Sequence, residues 1–128
     1  MSNAKSVLIA EDSSVIQNLT RKILEFQNFR ISSAKNGEQV LQALENENFD
    51  VILLDINMPV MDGMECARRV RALADKTKAN IPIVAITGNA RNYTLEDFHQ
   101  VGINDYIPKP LDFDRLVDLL KQLTASHV

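Results

Sequence analysis

Residues 50–63 read Asp-Val-Ile-Leu-Leu-Asp-Ile-Asn-Met-Pro-Val-Met-Asp-Gly. The unbroken apolar run 51–54 predicts a strand buried on both faces of a parallel sheet, because a strand with one wet face alternates apolar and polar residues. The run ends at the carboxylate of Asp55, and the following Pro59 and Asp62-Gly63 are typical of loop backbone. Ligands of open α/β sheets bind outside the carboxyl ends of the strands, so Asp55 is placed where a functional group is expected. A lone Asp can also simply cap a strand, and its role therefore depends on what converges on it.

The composition is that of one globular domain. The 128 residues are 45% hydrophobic and 24% charged, an ordinary balance for a chain that can bury a core without disulfides or metals. We expect one domain over residues 5–125, with residues 1–4 as a flexible N-terminus or cloning remnant. No apolar run approaches the ~20 residues of a membrane span, and the N-terminus does not resemble a secretory signal. The sequence therefore predicts a cytoplasmic protein that does not contact the membrane.

Charge and cysteine content exclude several other classes of protein. The net charge of -3 argues against direct nucleic-acid binding, because such proteins usually present a basic face to the phosphates. Cys66 is the single cysteine, which excludes an internal disulfide and a thiolate zinc site built from this chain alone. We expect Cys66 to be an ordinary buried thiol.

Strand and helix patterns alternate five times along the chain. Apolar runs predict strands over residues 5–10, 29–34, 51–54, 81–86 and 104–107. Helical spacing of apolar residues follows each strand, and in the first helix it involves Val15, Ile16, Leu19, Ile23 and Leu24. The polar segment 75–80 is predicted to be a linker, and the basic run Arg68, Arg69 and Arg71 to be solvated surface. This alternation predicts an α/β three-layer sandwich, with five parallel strands, five helices and all strand ends on one edge.

Polar groups follow four of these strands, and the topology allows them to meet in one pocket: Glu11, Asp12, Asp55, Thr87 and Lys109. Three carboxylates in a small space repel, so without a partner at least one carboxyl would have a raised pKa. A divalent cation would supply the missing positive charge. Oxygen donors select a hard ion, and Mg²⁺ accepts only one or two carboxylates directly. We therefore expect Mg²⁺ on Asp12 and Asp55, with Glu11 acting through water.

The same pocket contains the groups needed for phosphoryl transfer. The Thr87 hydroxyl and the Lys109 ammonium could stabilise the equatorial phosphoryl oxygens as charge spreads over them. Asp55 is then the nucleophile, because carboxylates attack phosphorus in aspartyl-phosphate chemistry. Gly88, with no side chain, would let the backbone approach the phosphoryl group. Each residue taken singly has an ordinary structural explanation, whereas the set indicates phosphoryl chemistry.

These residues resemble the motifs of receiver domains from two-component response regulators, including the chemotaxis regulators, and from hybrid histidine kinases. The resemblance covers nearly the whole chain and rests on Glu11-Asp12, Asp55 with Met58-Pro59 and Asp62-Gly63, Thr87, and Lys109-Pro110. It implies the flavodoxin-like receiver fold with strand order 2-1-3-4-5. Residues 57–65 and 86–90 are more similar to the receivers of hybrid sensor kinases.

The resemblance also implies roles for individual residues. Asp55 would become a 4-aspartylphosphate by taking a phosphoryl group from a histidine kinase or a histidine phosphotransfer protein. Mg²⁺ would be held by Asp12, Asp55 and the backbone carbonyl of Asn57, while Thr87 and Lys109 would contact the phosphoryl group. The domain would catalyse its own phosphorylation and dephosphorylation, and would not be an enzyme acting on a separate substrate.

A conformational switch is implied as well. In similar receivers an aromatic residue at the position of Tyr106 turns inward when the residue at the position of Thr87 moves toward the phosphoryl group. The change would be read by a downstream protein or by other domains of the parent chain, on the surface of the fourth predicted helix, the last strand and the last helix. The Lys109–Pro110 peptide bond is expected to be cis, and Asn57 and Asn89 occupy positions that adjust the lifetime of the phosphoryl group.

Two other functions use similar residues. An enzyme of the haloacid dehalogenase type also has an aspartyl nucleophile and Mg²⁺, but it normally needs a second Asp two residues later, where this chain has Asn57. The chain also has no room for the cap segments of those enzymes. A degenerate receiver could serve only as a binding scaffold. The intact set of acidic residues disfavours this function, and a test of phosphoryl uptake would distinguish a scaffold from an active receiver. A flavodoxin-like cofactor protein is disfavoured because no phosphate-binding loop rich in hydroxyls and glycine follows the first strand.

Overall fold

The structure is a computed structural model that describes residues 4–88 and 93–125. Within these residues strands and helices alternate along the chain. The strands are β1 Ser6–Ala10, β2 Arg30–Ala34, β3 Val51–Asp55, β4 Ile83–Thr87 and β5 Asp105–Pro108. The helices are α1 Ser14–Phe26, α2 Gly37–Asn46, α3 Gly63–Arg71, α4 Lys76–Ala79, α5 Leu95–Gln100 and α6 Phe113–Thr124.

The strands form a parallel sheet in the order β2-β1-β3-β4-β5, which confirms the predicted fold. Helices α2, α3 and α5 cover one face, where Val40, Val70 and Phe98 are buried in the same core. Helices α1 and α6 cover the other face through Leu24 and Leu116. Every residue of β3 is buried, as the uninterrupted apolar run predicts for a strand with a helix layer on each side. The sandwich therefore leaves the carboxyl ends of the strands as the natural place for a site.

The structure adds one short helix to the five that the sequence predicts. Helix α4 is a single turn inside the segment 75–80, which the sequence predicts to be a polar linker. Asp75 caps it, because its side chain accepts hydrogen bonds from the backbone N–H groups of Thr77 and Lys78. One turn is too short to show the apolar periodicity by which helices are recognised in a sequence.

Two of the three arginines of α3 are solvated as predicted, and the third is not. Arg68 and Arg69 are exposed and pair with Glu65. The prediction is wrong for Arg71, a partly buried side chain whose guanidinium donates to backbone carbonyls of Ala79, Ile81 and Gly102. Gly102 has a φ of 86°, and a Cβ atom there would lie 2.6 Å from the Arg71 side chain. Arg71 therefore links α3 to the segments that lead into β4 and β5.

Helix α1 faces the sheet differently from what its apolar residues suggest. Val15 is 78% exposed and Leu19 is 51% exposed, although both fit the helical spacing of the first helix. The buried residues of this helix are instead Gln17, Thr20 and Leu24. Two polar side chains thus occupy the inner face of α1. That of Gln17 is buried because its amide donates hydrogen bonds to backbone carbonyls.

Cys66 is fully buried, as predicted, and burial raises the pKa of its thiol to about 12. Its Sγ atom lies 3.8 Å from the carbonyl oxygen of Gly37. None of the helices in residues 4–88 and 93–125 combines the length and the apolar character that crossing a bilayer requires.

Candidate functional site

Three carboxylates meet at the carboxyl ends of two neighbouring strands. Ala10 at the end of β1 pairs with Leu54 of β3, so the residues that follow them, Glu11 and Asp55, emerge side by side. Asp12 follows directly, and carboxylate oxygens of Glu11, Asp12 and Asp55 all lie within 4.8 Å of one another. The structure thus brings together the acidic cluster that the sequence predicts.

Burial makes this cluster electrostatically unusual. Glu11 is 5% exposed and Asp55 is 2% exposed, whereas Asp12 faces solvent. Burial, together with the contact with the Asp55 carboxyl, raises the pKa of Glu11 from its ordinary 4.5 to about 7. The sequence predicts that at least one carboxyl pKa is raised in a cluster without a cation, and the pKa of Glu11 is raised in this way.

Lys109 supplies positive charge to the cluster. Its Nζ atom lies 3.1 Å from Oδ2 of Asp55 and 3.8 Å from Oε1 of Glu11. The side chain reaches the acids from the end of β5, and its backbone N–H donates to the carbonyl of Thr87 at 2.8 Å. The Lys109–Pro110 peptide bond is cis, as the resemblance implies. One ammonium thus contacts two of the three carboxylates.

Thr87 and Gly88 lie at the carboxyl end of β4, the strand that pairs with the one carrying Asp55. Thr87 is 1% exposed and ends β4, between the strand that carries Asp55 and the strand that precedes Lys109. Asp55 pairs with Ile86 in the sheet, so Thr87 lies one residue beyond it. A Cβ atom at Gly88 would lie 3.6 Å from Cδ of Lys109, an ordinary contact. Contact with Lys109 therefore does not require glycine at 88, and its role in admitting a phosphoryl group stays a prediction.

The loop after β3 orients the Asp55 carboxylate. The backbone N–H of Asn57 donates to Oδ1 of Asp55 at 2.9 Å, so each carboxylate oxygen has a different partner. The Asn57 residue is exposed, and the use of its carbonyl as a metal ligand stays a prediction. Asn89, expected to influence phosphoryl lifetime, lies outside the described residues.

Tyr106 lies in β5, where it pairs with Ala85 of β4. It is partly buried and packs against the core, with its ring centroid 5.3 Å from that of Phe98 in α5. Phe98 is fully buried and also contacts the ring of Tyr93, with centroids 5.6 Å apart. Tyr106 therefore links β5 to α5, whereas its rotation as a switch stays a prediction.

Gln17 and Ser13 are site residues that sequence reasoning missed. The Gln17 amide donates to the backbone carbonyls of Glu11 and Ala34, both at 3.0 Å. The backbone N–H of Ser13 donates to Oε2 of Glu11 at 3.1 Å. A polar residue between the apolar positions of a helix is usually interpreted as solvated, so only the packing of α1 reveals the role of Gln17.

The donor set fits a hard divalent cation. Within residues 4–88 and 93–125, Glu11, Asp12 and Asp55 are the group of metal-ligating side chains that lie close enough to share an ion. All three offer carboxylate oxygens, which Mg²⁺ prefers over nitrogen or sulfur donors. Burial makes a negative charge on Glu11 unfavourable and raises the pKa of its carboxyl, and a bound cation would offset this effect.

A family model for the response regulator receiver domain matches residues 7–121. Among curated proteins, the chain is 35% identical over 127 residues to hybrid signal transduction histidine kinase M of Dictyostelium discoideum. It is 36% identical over 114 residues to the CAI-1 autoinducer sensor kinase/phosphatase CqsS of Vibrio cholerae. These alignments cover 94% and 89% of this chain, but only 5% and 16% of those proteins.

A solved structure is similar over almost its whole length. It is the receiver domain of a sensor histidine kinase from Pseudomonas aeruginosa, with a magnesium ion coordinated in the active-site cleft. The two chains superpose with a TM-score of 0.86 at 31% identity, covering 96% of this chain and 99% of that one.

Proposed function

The chain belongs to the response regulator receiver domain family, and we propose that Asp55 is its phosphoacceptor. A receiver domain of a two-component system takes up a phosphoryl group on a carboxylate side chain. The observation that supports Asp55 is its position at the centre of the site. It ends the central strand, is buried, and contacts Lys109 through one oxygen and the Asn57 N–H through the other.

The proposed step transfers a phosphoryl group from a phosphohistidine to the Asp55 carboxylate. An oxygen of Asp55 attacks phosphorus in line, a P–O bond forms, and the P–N bond to the imidazole breaks. The imidazole nitrogen leaves with the electron pair and takes a proton. The Asn57 N–H holds the carboxylate in place, while the Lys109 ammonium lies where it can stabilise negative charge on the phosphoryl oxygens.

We further propose that Asp12, Asp55 and the backbone carbonyl of Asn57 hold Mg²⁺, with Glu11 acting through water. The support is the acidic cluster, together with the magnesium ion in the cleft of the similar Pseudomonas receiver. When bound, Mg²⁺ offsets the charge of the carboxylates and of the phosphoryl oxygens. Thr87 is proposed to contact the same phosphoryl oxygens through its hydroxyl.

The domain is then both substrate and catalyst. Water attacks the acyl phosphate in a slower step, which releases inorganic phosphate and restores the carboxylate. We propose a domain spanning residues 5–125, which contains the matched residues 7–121. Its donor would be a histidine kinase or a histidine phosphotransfer protein in the cytoplasm, as the similarity to hybrid kinases suggests. We expect no direct contact with nucleic acid.

The output surface is proposed to comprise α5, β5 and α6. Helix α5 is the fourth helix of the sequence prediction, because the short α4 was not foreseen. Thr87 ends β4 beside β5, and Tyr106 connects β5 to the buried ring of Phe98 in α5. A shift of Thr87 toward the phosphoryl group would therefore be transmitted to this surface through the packed side chains of Tyr106 and Phe98. A downstream protein or other domains of the parent chain would respond to the shift.

Intact-mass measurement after incubation with acetyl phosphate tests this function. The wild-type protein should gain one phosphoryl group in Mg²⁺ and none in EDTA, and Asp55→Asn should gain none. A wild-type protein that gains nothing and does not respond to beryllofluoride would instead support a binding scaffold. Equal uptake by Asp55→Asn would place the phosphoacceptor elsewhere.

A further inference from the structure

Gln17 is a buried polar side chain directly behind the acidic loop. It belongs to the inner face of α1 and is 9% exposed. Its Nε2 atom donates to two backbone carbonyls, one from Glu11 and one from Ala34, each at 3.0 Å. Because both neighbours are acceptors, only the amide nitrogen with its two N–H groups can occupy this position.

The two carbonyls belong to the segments that hold the acidic loop. Ala34 ends β2 and accepts a hydrogen bond from the Glu11 N–H at 3.0 Å, in addition to the one from Gln17. The Glu11 carboxylate accepts from the Ser13 N–H at 3.1 Å. The Gln17 amide thus closes a small hydrogen-bonded network around the residue that precedes Asp12. The backbone of Glu11 is tied to both β2 and α1.

Loss of this amide would leave buried carbonyl oxygens with fewer donors. A buried polar group without a partner is unfavourable, so the loop would move toward water to recover hydrogen bonds. Such a movement changes the positions of Glu11 and Asp12 relative to Asp55, which lies on a different strand. Mutation of a residue that orients metal ligands without binding the ion commonly lowers metal affinity by about 10- to 100-fold.

We propose that Gln17 is a positioning residue that sets the geometry of the acidic loop for the cation. It touches neither the cation nor the phosphoryl group, and acts through the backbone of Glu11. The inference rests on the proposed Mg²⁺ site and adds a residue whose side chain offers no ligand to the ion. It predicts that a change at Gln17 weakens Mg²⁺ binding more than it weakens the fold.

The test compares Gln17→Met, which keeps the size of the side chain and removes both donors, with two controls. Gln42→Met makes the same exchange on the exposed side of α2. Val40→Ala truncates a buried residue on the opposite face of the sheet and lowers stability without touching the acidic loop. The measurements are calorimetric Mg²⁺ titration, urea denaturation, and hydrogen exchange of the Glu11 amide in metal-free protein.

Gln17→Met should bind Mg²⁺ about tenfold more weakly than the wild-type protein. Its Glu11 amide should exchange faster before any metal is added, while amides of β5 keep their wild-type rates. Gln42→Met and Val40→Ala should keep the wild-type affinity. If Gln17→Met does not fold, Gln17→Glu keeps the length of the side chain and one donor when protonated, and it should show an intermediate loss.

Wild-type affinity and wild-type Glu11 exchange in the folded Gln17 variant would overturn the inference. So would an equal loss of Mg²⁺ affinity in Val40→Ala, because stability alone would then account for the effect. A wild-type protein that binds no Mg²⁺ would instead contradict the proposed function. In that case the exchange of the Glu11 amide, measured without metal, still decides whether Gln17 holds the loop.

Discussion

The Nζ atom of Lys109 lies 3.1 Å from Oδ2 of Asp55, although the two residues come from the ends of different strands. The Asp55 side chain is 2% exposed and that of Lys109 is 29% exposed, so solvent screens this pair only in part. The ammonium contacts Oδ2 of Asp55, whereas the Asn57 N–H donates to Oδ1. The pair therefore places a positive charge next to the carboxylate that is proposed to accept the phosphoryl group.

Lys109→Met should slow phosphorylation by acetyl phosphate at least tenfold at saturating Mg²⁺. The side chain would keep its bulk but lose the charge that stabilises the phosphoryl oxygens. Mg²⁺ binding should stay equal or become tighter, because a cation that competes for Asp55 and Glu11 has been removed. Stopped reactions analysed by intact mass give the rate, and calorimetry gives the affinity. Lys35→Met, an exposed change, is the control, and an unchanged rate in Lys109→Met would contradict the assigned role.

Mg²⁺ binding should release a proton from Glu11 near neutral pH. In metal-free protein the pKa of Glu11 in the folded state is raised from 4.5 to about 7. The protonated Glu11 therefore contributes its full stabilisation below about pH 4.5, and this contribution is lost as the pH rises through about 7. A cation favours the ionised form, so release should approach one proton at about pH 6 and vanish above about pH 8. Calorimetry in buffers of different ionisation enthalpy measures the release. Glu11→Gln should release none, and a pH-independent signal in the wild-type protein would refute the assignment.

Val60→Gly should stabilise the protein by about 1 kcal/mol. Val60 has a φ of 71°, a backbone conformation that is strained for a β-branched residue, and its side chain is 75% exposed. Glycine would remove the strain with little loss of buried surface. Val15→Gly is the matched control, because Val15 is equally exposed but helical, and there glycine should destabilise by about 0.5 kcal/mol. Urea denaturation measures both changes, and a loss of stability in Val60→Gly would contradict the prediction.

Tyr106→Ala should leave phosphorylation within about twofold of the wild-type rate and weaken the response of α5. The ring packs against the core and contacts Phe98, so its removal takes away a contact between β5 and that helix. Hydrogen exchange in α5 with and without beryllofluoride measures the response. Tyr106→Phe keeps the ring and should behave like the wild-type protein. An undiminished change in α5 exchange in the alanine variant would exclude the switch role, as would equal phosphorylation-dependent binding of a partner.

The parts of the site that sequence reasoning recovered are those encoded over a few neighbouring residues. The apolar run before Asp55 reports burial on both faces, and the acids follow their strands directly. Once the alternation of strands and helices fixes parallel strands, the strand ends must share one edge. The meeting of the site residues at this edge can therefore be predicted from the sequence.

The parts that sequence reasoning did not recover depend on contacts between distant segments. The Gln17 amide bonds to Ala34, 17 residues away, and the Arg71 guanidinium bonds to Gly102, 31 residues away. Neither partner is a side chain, so no residue type marks the interaction in the sequence. The exposure of Val15 and Leu19 also depends on tertiary packing, because α1 is rotated so that Gln17 and Thr20 face inward together with Leu24.

Borohydride reduction followed by peptide mapping identifies the residue that accepts the phosphoryl group. An acyl phosphate on a carboxyl group is reduced to an alcohol, which converts the phosphorylated aspartate to homoserine, whereas a free carboxylate does not react. After incubation with acetyl phosphate and Mg²⁺, homoserine should appear at position 55 and should be absent when EDTA is present. Homoserine at position 12, or at any position other than 55, would contradict the proposal that Asp55 accepts the phosphoryl group.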